Sequence, residues 1–345
     1  MVTLSLMLLY GTRHAFLQTV TYLAPKTISS NCSARTKSAG AREQSTQQGT
    51  LIWNPGEQNY IFSAYYLGCS ATHIPAGALA DIHGVHSRPY SHPFISDEEK
   101  CSLAKEFGTT LPKRIPWKDI LTDSTVWAMV VAQFGHRFLR FIAYTYLPLF
   151  YSEVLCIDIV KDMYKFIIIP AVLQWVFTLI FGYTADYLIR TRYTPVAYAR
   201  VLFTSLGMTV ASIFILVSSY LETNKSAILM CFIVATISRA AVFAGLTANV
   251  LDRTRHFTGT VQGLQDGLST LSGVWFHFLV RYICANNTAA EWRKFFWLTL
   301  TVAVSSNTVY FVWGESGRAK WDKVTDEYVS YRHPVPEKNK TESPS

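Results

Sequence analysis

Charged side chains are scarce in this chain of 345 residues, in which Asp, Glu, Lys and Arg make up 16% and hydrophobic residues 50%. A soluble globular domain carries about 25% charged residues. The deficit argues against an ordinary soluble domain and indicates a surface that faces a lipid bilayer, where a buried charge is costly. The net charge of +8 does not indicate a nucleic-acid partner, because the basic residues lie mostly in loops between apolar segments and form no basic stripe.

The patterns that hold metals and cofactors are also missing. The six cysteines share no metal-ligand spacing, and most lie in or beside apolar segments, which is typical of small packing residues. No cofactor and no chemistry on covalent bonds is indicated, so we do not expect an enzyme. A cleavable signal peptide is not indicated either, because the first apolar segment has no basic start and Arg13 lies in its middle.

Long apolar segments are abundant in the chain. A membrane-spanning helix needs about 20 mostly apolar residues. Eight segments qualify, at 2–24, 58–80, 124–150, 164–189, 196–220, 226–250, 258–283 and 294–313. The sequence therefore predicts an all-α integral membrane protein with about eight transmembrane helices.

The polar segments divide the chain into four parts. These are a partial N-terminal bundle with an outer loop at 1–83, a central cytoplasmic loop at 84–123, a six-helix bundle at 124–314 and a cytoplasmic tail at 315–345. Lys and Arg are concentrated in the loops that this arrangement places inside, which agrees with the positive-inside rule. We therefore expect both termini in the cytoplasm. The outer loop contains Asn31 in a sequon, which is either a glycosylation site or an unused chance match.

A Gly-x-x-Ala-Asp pattern occurs twice, from Gly77 to Asp81 and from Gly182 to Asp186. Each copy ends a long apolar segment and places an Asp at the water end of a predicted helix. A pattern repeated in register indicates a bundle built from two related halves, which is typical of transporters. The alternative is a chance match of a short pattern at two solvated helix ends.

Several stretches are similar to one family of transporters. They are IPAGALAD (74–81), VWA (126–128), FGYTADYLI (181–189), NVLD (249–252) and EWR (291–293). They resemble helices two, seven, eight and ten to twelve of the anion:cation symporter branch of the major facilitator superfamily. That branch includes sialin, the vesicular glutamate transporters and the sodium-phosphate cotransporter-like proteins.

The resemblance implies twelve helices, whereas eight segments are counted here. The residues soon after Gly84 resemble the central cytoplasmic loop that should follow the sixth helix, so we expect helices three to six to be absent. The resemblance implies symport of a small organic anion or phosphate with a proton or sodium, in the plasma membrane or a vesicular or lysosomal membrane. The alternative is a non-transporting truncated isoform, or an incomplete gene model, whose product binds a full-length relative.

Cations inside the predicted spans are candidates for the substrate site. By resemblance, Arg13 corresponds to a first-helix Arg that contributes to anion recognition, and a guanidinium can hold a carboxylate or phosphate by two bonds. His136 aligns with a position where some family members carry Arg or His. It clusters in sequence with Arg137 and Arg140. For Arg13 the alternatives are snorkelling or structural pairing. For the residues at 136–140 the alternatives are tolerance by a cavity or a degraded sequence.

Two further roles are expected. The resemblance implies that Asp81 and Asp186 hold cytoplasmic helix ends together during alternating access. Arg239 and Asp266 lie at depths that differ by about 4–5 Å at 1.5 Å rise per residue. An isolated charge inside a membrane is costly. We therefore predict that Arg239 and Asp266 neutralise each other as a structural pair.

Overall fold

The computed structural model describes residues 55–83, 96, 115–147, 150–151, 154, 165, 168–221, 224–254, 256–286 and 288–322. Arg13, Asn31, the predicted span at 2–24 and most of the central loop lie outside these residues. Within them the secondary structure is helical, and no strand is present.

Ten α-helices and two π-helical turns follow one another along the described residues. They are α1 (Pro55–His83), α2 (Trp117–Thr122), α3 (Ser124–Phe141), π1 (Ile142–Tyr146), α4 (Ile169–Arg190), α5 (Val196–Ser218), α6 (Lys225–Val242), π2 (Phe243–Thr247), α7 (Ala248–Arg253), α8 (Thr258–Thr270), α9 (Ser272–Ile283) and α10 (Ala289–Trp313). Helix α6, π2 and α7 form one continuous helical segment, Lys225–Arg253.

Among the described residues, four helical segments are long and apolar enough to cross a membrane: α4, α5, Lys225–Arg253 and α10. The predicted spans at 58–80 and 124–150 are helical over their described residues but carry more polar side chains. The predicted span at 258–283 is broken at Leu271 into α8 and α9. The membrane-protein fold class is confirmed.

Hydroxyl side chains accompany the break at Leu271. Thr270 Oγ1 donates to the carbonyl of Asp266 at 2.6 Å, and Ser272 Oγ donates to the carbonyl of Ser269 at 2.6 Å. Such bonds compete with the helical backbone pattern and often bend it. The apolar content of 258–283 predicted a helical span there, but apolar content alone does not indicate where hydroxyl groups interrupt a helix.

Polar side chains fix the starts of three helices. Asp123 caps α3 by accepting from the amide of Thr125 at 2.9 Å, and Asn224 caps α6 by accepting from the amide of Ala227 at 3.2 Å. Thr288 and Glu291 form a reciprocal capping box at the start of α10. Each cap satisfies amides that the first turn of a helix leaves unpaired.

The larger apolar core is aromatic and joins α1, α3, π1, α9 and α10. Its most buried members include Phe138, Phe141, Phe276, Trp292 and Phe295. Phe276 lies 4.8 Å from Phe138 and 5.5 Å from Phe295 between ring centroids, within the range of attractive edge-to-face contacts. This core fixes the position of α3, which carries His136 and Arg137.

Helix α4 is the least covered of the apolar helices. Only Pro170 and Ala185 are buried along it. Ala185 belongs to a small cluster with Phe203 of α5 and with Ala241 and Ala244 of the following helical segment. Much of the apolar surface of α4 is therefore exposed.

Candidate functional site

The carboxylate of Asp266 on α8 is held by side chains from two helices. On α3, Arg137 forms a short ion pair with it, and Gln133 Nε2 donates to Oδ1 at 3.1 Å. On α8 itself, Gln262 Nε2 donates to Oδ2 at 2.9 Å. Both carboxylate oxygens are thus occupied by hydrogen-bond donors.

The predicted pair between Arg239 and Asp266 is corrected by these contacts, because Asp266 pairs with Arg137 instead. Arg239 Nη2 donates to Gln174 Oε1 of α4 at 2.9 Å. Its guanidinium carbon lies 4.6 Å from the ring centroid of Tyr144 in π1, a cation–π distance. The two charges lie at similar depths by the rise per residue, but their helices are rotated so that they do not face each other.

His136 is buried beside these cations, with 4% of its surface exposed. Its ring lies edge-on to Phe243, with 5.8 Å between centroids, and it is within electrostatic range of Arg137, Arg140 and Arg239. Its Nδ1 has no hydrogen-bond partner among the described residues. His136, Arg137 and Arg239 are called the central basic cluster below.

The central basic cluster can attract an anion. Within the described ranges, Asp266 is the only carboxylate that forms an ion pair with a member of the cluster. The cluster therefore keeps a net positive charge in an apolar bundle, which favours a bound anion over a cation. No group of three His, Cys, Asp or Glu side chains suited to a metal ion occurs in the described part of the chain.

From the sequence, His136 and Arg137 were predicted in a substrate site and Arg239 in a structural pair, whereas the contacts of Arg239 with Gln174 and Tyr144 were not predicted. Gln174 and Tyr144 lie in predicted spans, and a glutamine in a long apolar segment was a usable signal. Their contact with Arg239 depends on tertiary packing of three helices. No local pattern predicts such a contact.

The first copy of the repeated pattern joins α1 to α8. Asp81 accepts from the amide of Gly259 at 3.0 Å, and from the amide and hydroxyl of Thr260 at 2.5 and 2.6 Å. These donors belong to the first turn of α8, where the helix dipole is positive and the amides lack intrahelical partners. A Cβ built on Gly77 would overlap the carbonyl oxygen of Gly259. Glycine at position 77 therefore allows the close approach that brings Asp81 to this turn.

The second copy makes no equivalent contact with the described residues. A Cβ on Gly182 would meet no described atom within 4 Å, and Asp186 is exposed. The two copies share a sequence pattern and a position at a helix end. Among the described residues, only the Asp of the first copy bonds to the start of another helix. A gating role stays a prediction for both copies.

A second charged cluster, missed by sequence reasoning, lies where α3 begins and α7 ends. Asp123 Oδ2 accepts from Arg253 Nη2 at 2.7 Å and from Trp321 Nε1 at 3.0 Å. Asp123 precedes the predicted span. Burial raises the pKa of this carboxyl, but the donors from Arg253 and Trp321 outweigh burial, so the pKa lies below its usual value. This cluster links the start of α3 to the chain beyond α10.

Comparison with known proteins identifies a matching family and several relatives. A family model described as the Major Facilitator Superfamily matches residues 87–276, more than half of the chain. The chain is 24% identical to the "Probable small intestine urate exporter" of Mus musculus, over 76% of this chain and 52% of that protein. It is also 24% identical to the human "Sodium-dependent phosphate transport protein 4", over 69% and 57%. It is 22% identical to human "Sialin", over 72% and 50%.

The chain spans about half the length of the curated relatives it matches. The similarity to the branch that contains sialin and the phosphate cotransporters, inferred above from short stretches, is confirmed by these matches.

Proposed function

This chain belongs to the Major Facilitator Superfamily, and from that premise we propose that it takes part in moving a small organic anion or phosphate across a membrane. The observation that carries the proposal is the central basic cluster, which places more positive than negative charge inside the bundle. Buried charges that face the interior of a membrane bundle commonly mark the path of a substrate or ion. The names of the relatives, a urate exporter and a phosphate transport protein, agree with an anionic solute.

A proton or sodium is proposed as the coupling ion. We propose that His136 binds the anion or takes part in proton transfer. Arg13, outside the described residues, is proposed to complete the substrate site from the N-terminal side. The movement would be a rocking of two halves about this site.

The activity is proposed to need helices that this chain lacks. Only two predicted spans precede the central loop, and two helices offer little surface for a rigid half that rocks against six others. We therefore expect the purified 345-residue chain to give little or no anion uptake in reconstituted vesicles. A matched chimera carries, after Gly84, the corresponding segment of human sialin.

Uptake of labelled inorganic phosphate and L-glutamate tests both chains under proton and sodium gradients. The chimera is expected to take up at least one probe, and Arg13→Ala should abolish this uptake, while Arg190→Ala at the exposed end of α4 should not. A monodisperse chimera that takes up neither probe would overturn the proposal. Robust uptake by the short chain alone would instead overturn the requirement for added helices.

A second candidate function, a non-transporting chain that binds a full-length relative, is favoured by the exposed face of α4. The first copy of the repeat shows how such a contact is made. Gly77 permits the close approach of α1 to α8, and Asp81 caps the first turn of α8. Gly182 and Asp186 offer the same two features: a Cβ on Gly182 would meet no described atom within 4 Å, and Asp186 is exposed. The proposed occupant is a helix of a full-length relative whose first turn resembles Gly259-Thr260.

Co-purification of the tagged chain with human sialin, used as the probe, tests this second function. Gly182→Leu places bulk at the close-approach position and should reduce the captured sialin strongly. Phe311→Leu changes an exposed apolar residue of α10 and serves as the matched control. If sialin is not captured, or if Gly182→Leu and Phe311→Leu capture it equally, the binding proposal is wrong and the exposed face of α4 is a lipid contact.

A further inference from the structure

The guanidinium of Arg239 is completely buried and only partly satisfied. Its relative exposure is 0%, and Nη2 donates to Gln174 Oε1 at 2.9 Å. Its Nε and Nη1 atoms have no hydrogen-bond partner in the described part of the chain. Together these two nitrogens carry three N–H donors. Buried donors are nearly always paired in folded proteins, so an arginine left in this state requires an explanation.

The position of the guanidinium is fixed from two sides. The ring of Tyr144 lies beneath it at 4.6 Å, and the Tyr144 hydroxyl donates to the same Gln174 oxygen that accepts from Arg239. Tyr144 and Gln174 therefore restrict the rotation of the side chain while leaving Nε and Nη1 unoccupied. A guanidinium held in this way is preorganised for a ligand, because less side-chain entropy is lost on binding.

The charge of Arg239 has no counter-ion among the described residues. Asp266, the nearest candidate from the sequence, is occupied by Arg137, Gln133 and Gln262. An uncompensated cation inside a membrane bundle is costly. A bound oxyanion would supply both the missing negative charge and acceptors for the unpaired donors.

The local backbone gives an independent indication. Tyr144 lies within π1, and π2 begins at Phe243, one helical turn after Arg239. π-Helical turns are rare and are often found at functional sites. His136, whose Nδ1 is also unpartnered among the described residues, contacts the ring of Phe243. Unpaired polar atoms of two helices thus lie beside the two irregular turns.

We propose that Arg239 binds a carboxylate or phosphate group through Nε and Nη1, with Gln174 and Tyr144 positioning the guanidinium and His136 as a neighbouring polar side chain. This inference rests on the proposed function and adds a binding residue in the C-terminal bundle. It does not depend on Arg13 or on any helix outside the described residues. The short chain should therefore bind an oxyanion even where it fails to transport one.

Equilibrium binding to the 345-residue chain in nanodiscs tests the site, with labelled inorganic phosphate and L-glutamate as probes. We expect saturable binding of at least one probe to the wild type. Arg239→Gln should weaken that binding by about tenfold or more, since the charge-assisted hydrogen bonds to the anion are lost. Arg239→Lys keeps the charge but loses the planar fork, so an intermediate affinity is expected. Arg190→Gln, at the exposed end of α4, should bind like the wild type.

Thermal unfolding of the same samples separates a ligand site from a packing role. Without anion, Arg239→Gln should unfold at or above the wild-type temperature, because it removes an uncompensated charge, and added anion should no longer stabilise it. A lower unfolding temperature, with the same stabilisation by anion as in the wild type, would assign Arg239 to packing and overturn the inference.

The binding measurement has its own contrary outcomes. Equal binding by wild type and Arg239→Gln would overturn the proposed site at Arg239 but not the proposed transport function. Absence of binding to the wild type would overturn the site, whereas the proposed transport function is tested separately by uptake through the chimera. If Arg239→Gln does not fold, the affinity of Arg239→Lys decides, and wild-type affinity there would overturn the inference.

Discussion

At the scale of single residues, the interior of the bundle is organised by one carboxylate and the cation that reaches it. Asp266 accepts from Arg137 and Gln133 of α3 and from Gln262 of α8, so α3 and α8 are joined by charge-assisted bonds. Such bonds are stronger than neutral ones. Arg239 is left with Gln174 and Tyr144 as partners.

Arg137 and Asp266 should therefore be energetically coupled. Arg137→Ala or Asp266→Ala alone leaves a buried unpaired charge, which costs about 3–5 kcal/mol of stability. The double variant should lose less than the sum of the two losses, with a coupling energy of about 1 kcal/mol or more. A double-mutant cycle on the unfolding of the purified protein measures this coupling. The cycle for Arg239 and Asp266 is the control and should show weaker coupling, whereas the reverse order would contradict the pairing.

Asp123 should make stability depend on pH. Its pKa is lowered in the folded state by donors from Arg253 and Trp321. Its stabilising contribution is therefore fully present above the unfolded pKa of about 3.9 and is lost as pH falls through the lower folded value. Asp123→Asn should be less stable than wild type at pH 7, by about 1–2 kcal/mol.

The stability difference between Asp123→Asn and wild type should shrink as the pH drops below about 4. Unfolding temperatures measured between pH 7 and pH 3 test this expectation. The control is Asp119→Asn, an exposed carboxylate in α2, which should leave the profile unchanged. A constant difference at every pH would contradict the assignment of the effect to the Asp123 charge.

The charged residues inside apolar segments could be recognised from the sequence, but their ion-pair partners could not. His136, Arg137, Arg239 and Asp266 stand out because charges are rare in apolar segments. The rise per residue gives their depth along each helix. Their partners depend on how far each helix is rotated about its axis, which is set by the aromatic core and by contacts between distant segments. The pairing of Asp266 with Arg137 is a product of that rotation.

At the scale of helices, α1 and α8 approach each other closely in the described structure. Gly77 of α1 faces Gly259 and Gly263 of α8, and a side chain at any of the three would strike the opposite backbone. Glycine at such positions lets two helices approach closely, as in membrane helix pairs with small residues at the interface. Asp81 then caps the amides at the start of α8. Helix α1 is thereby held against the C-terminal bundle.

Alanine at the two equivalent glycines should have opposite effects. Gly77→Ala forces α1 away from α8 and should destabilise the protein by about 1–3 kcal/mol, as overpacking does. Gly182→Ala meets no described atom within 4 Å and should be neutral, or stabilising by about 0.5–1 kcal/mol, because alanine is the better helix former. Thermal unfolding of the two purified variants measures the contrast. Similar losses for both would show that the two copies are equally packed.

Helices were easier to predict than contacts between them. The apolar segments that form α4, α5 and α10 were recognised because length and composition are local properties. The interruption at Leu271 and the docking of Asp81 on α8 were not predicted. The first depends on hydroxyl groups that bond to the backbone, and the second joins residues separated by 178 positions.

At the scale of the whole molecule, the contact of α1 with α8 constrains the orientation of the chain. The end of α1 at Asp81 meets the start of α8 at Gly259, so the chain leaves α1 and enters α8 on the same side of the membrane. The loop around 251–257 contains Arg253 and Arg255, and the positive-inside rule places such loops in the cytoplasm. The orientation predicted from loop charge agrees with this packing.

Both termini should then lie in the cytoplasm. Epitope tags at Met1 and at Ser345 should bind antibody only after the plasma membrane of expressing cells is permeabilised. A tag inserted at Asn286, in the turn between α9 and α10, is the control and should lie on the opposite side. Either terminal tag labelled in intact cells would contradict the orientation.

The unequal packing of the two motif copies has an evolutionary consequence. Any side chain at position 77 strikes the backbone of α8, so purifying selection should retain glycine there in every lineage that keeps this fold. Position 182 meets no described atom within 4 Å, so glycine there should be replaced at the faster rate of an unconstrained site. Equal rates of replacement at the two positions across orthologues of this chain would mean that α4 has a binding partner in the cell.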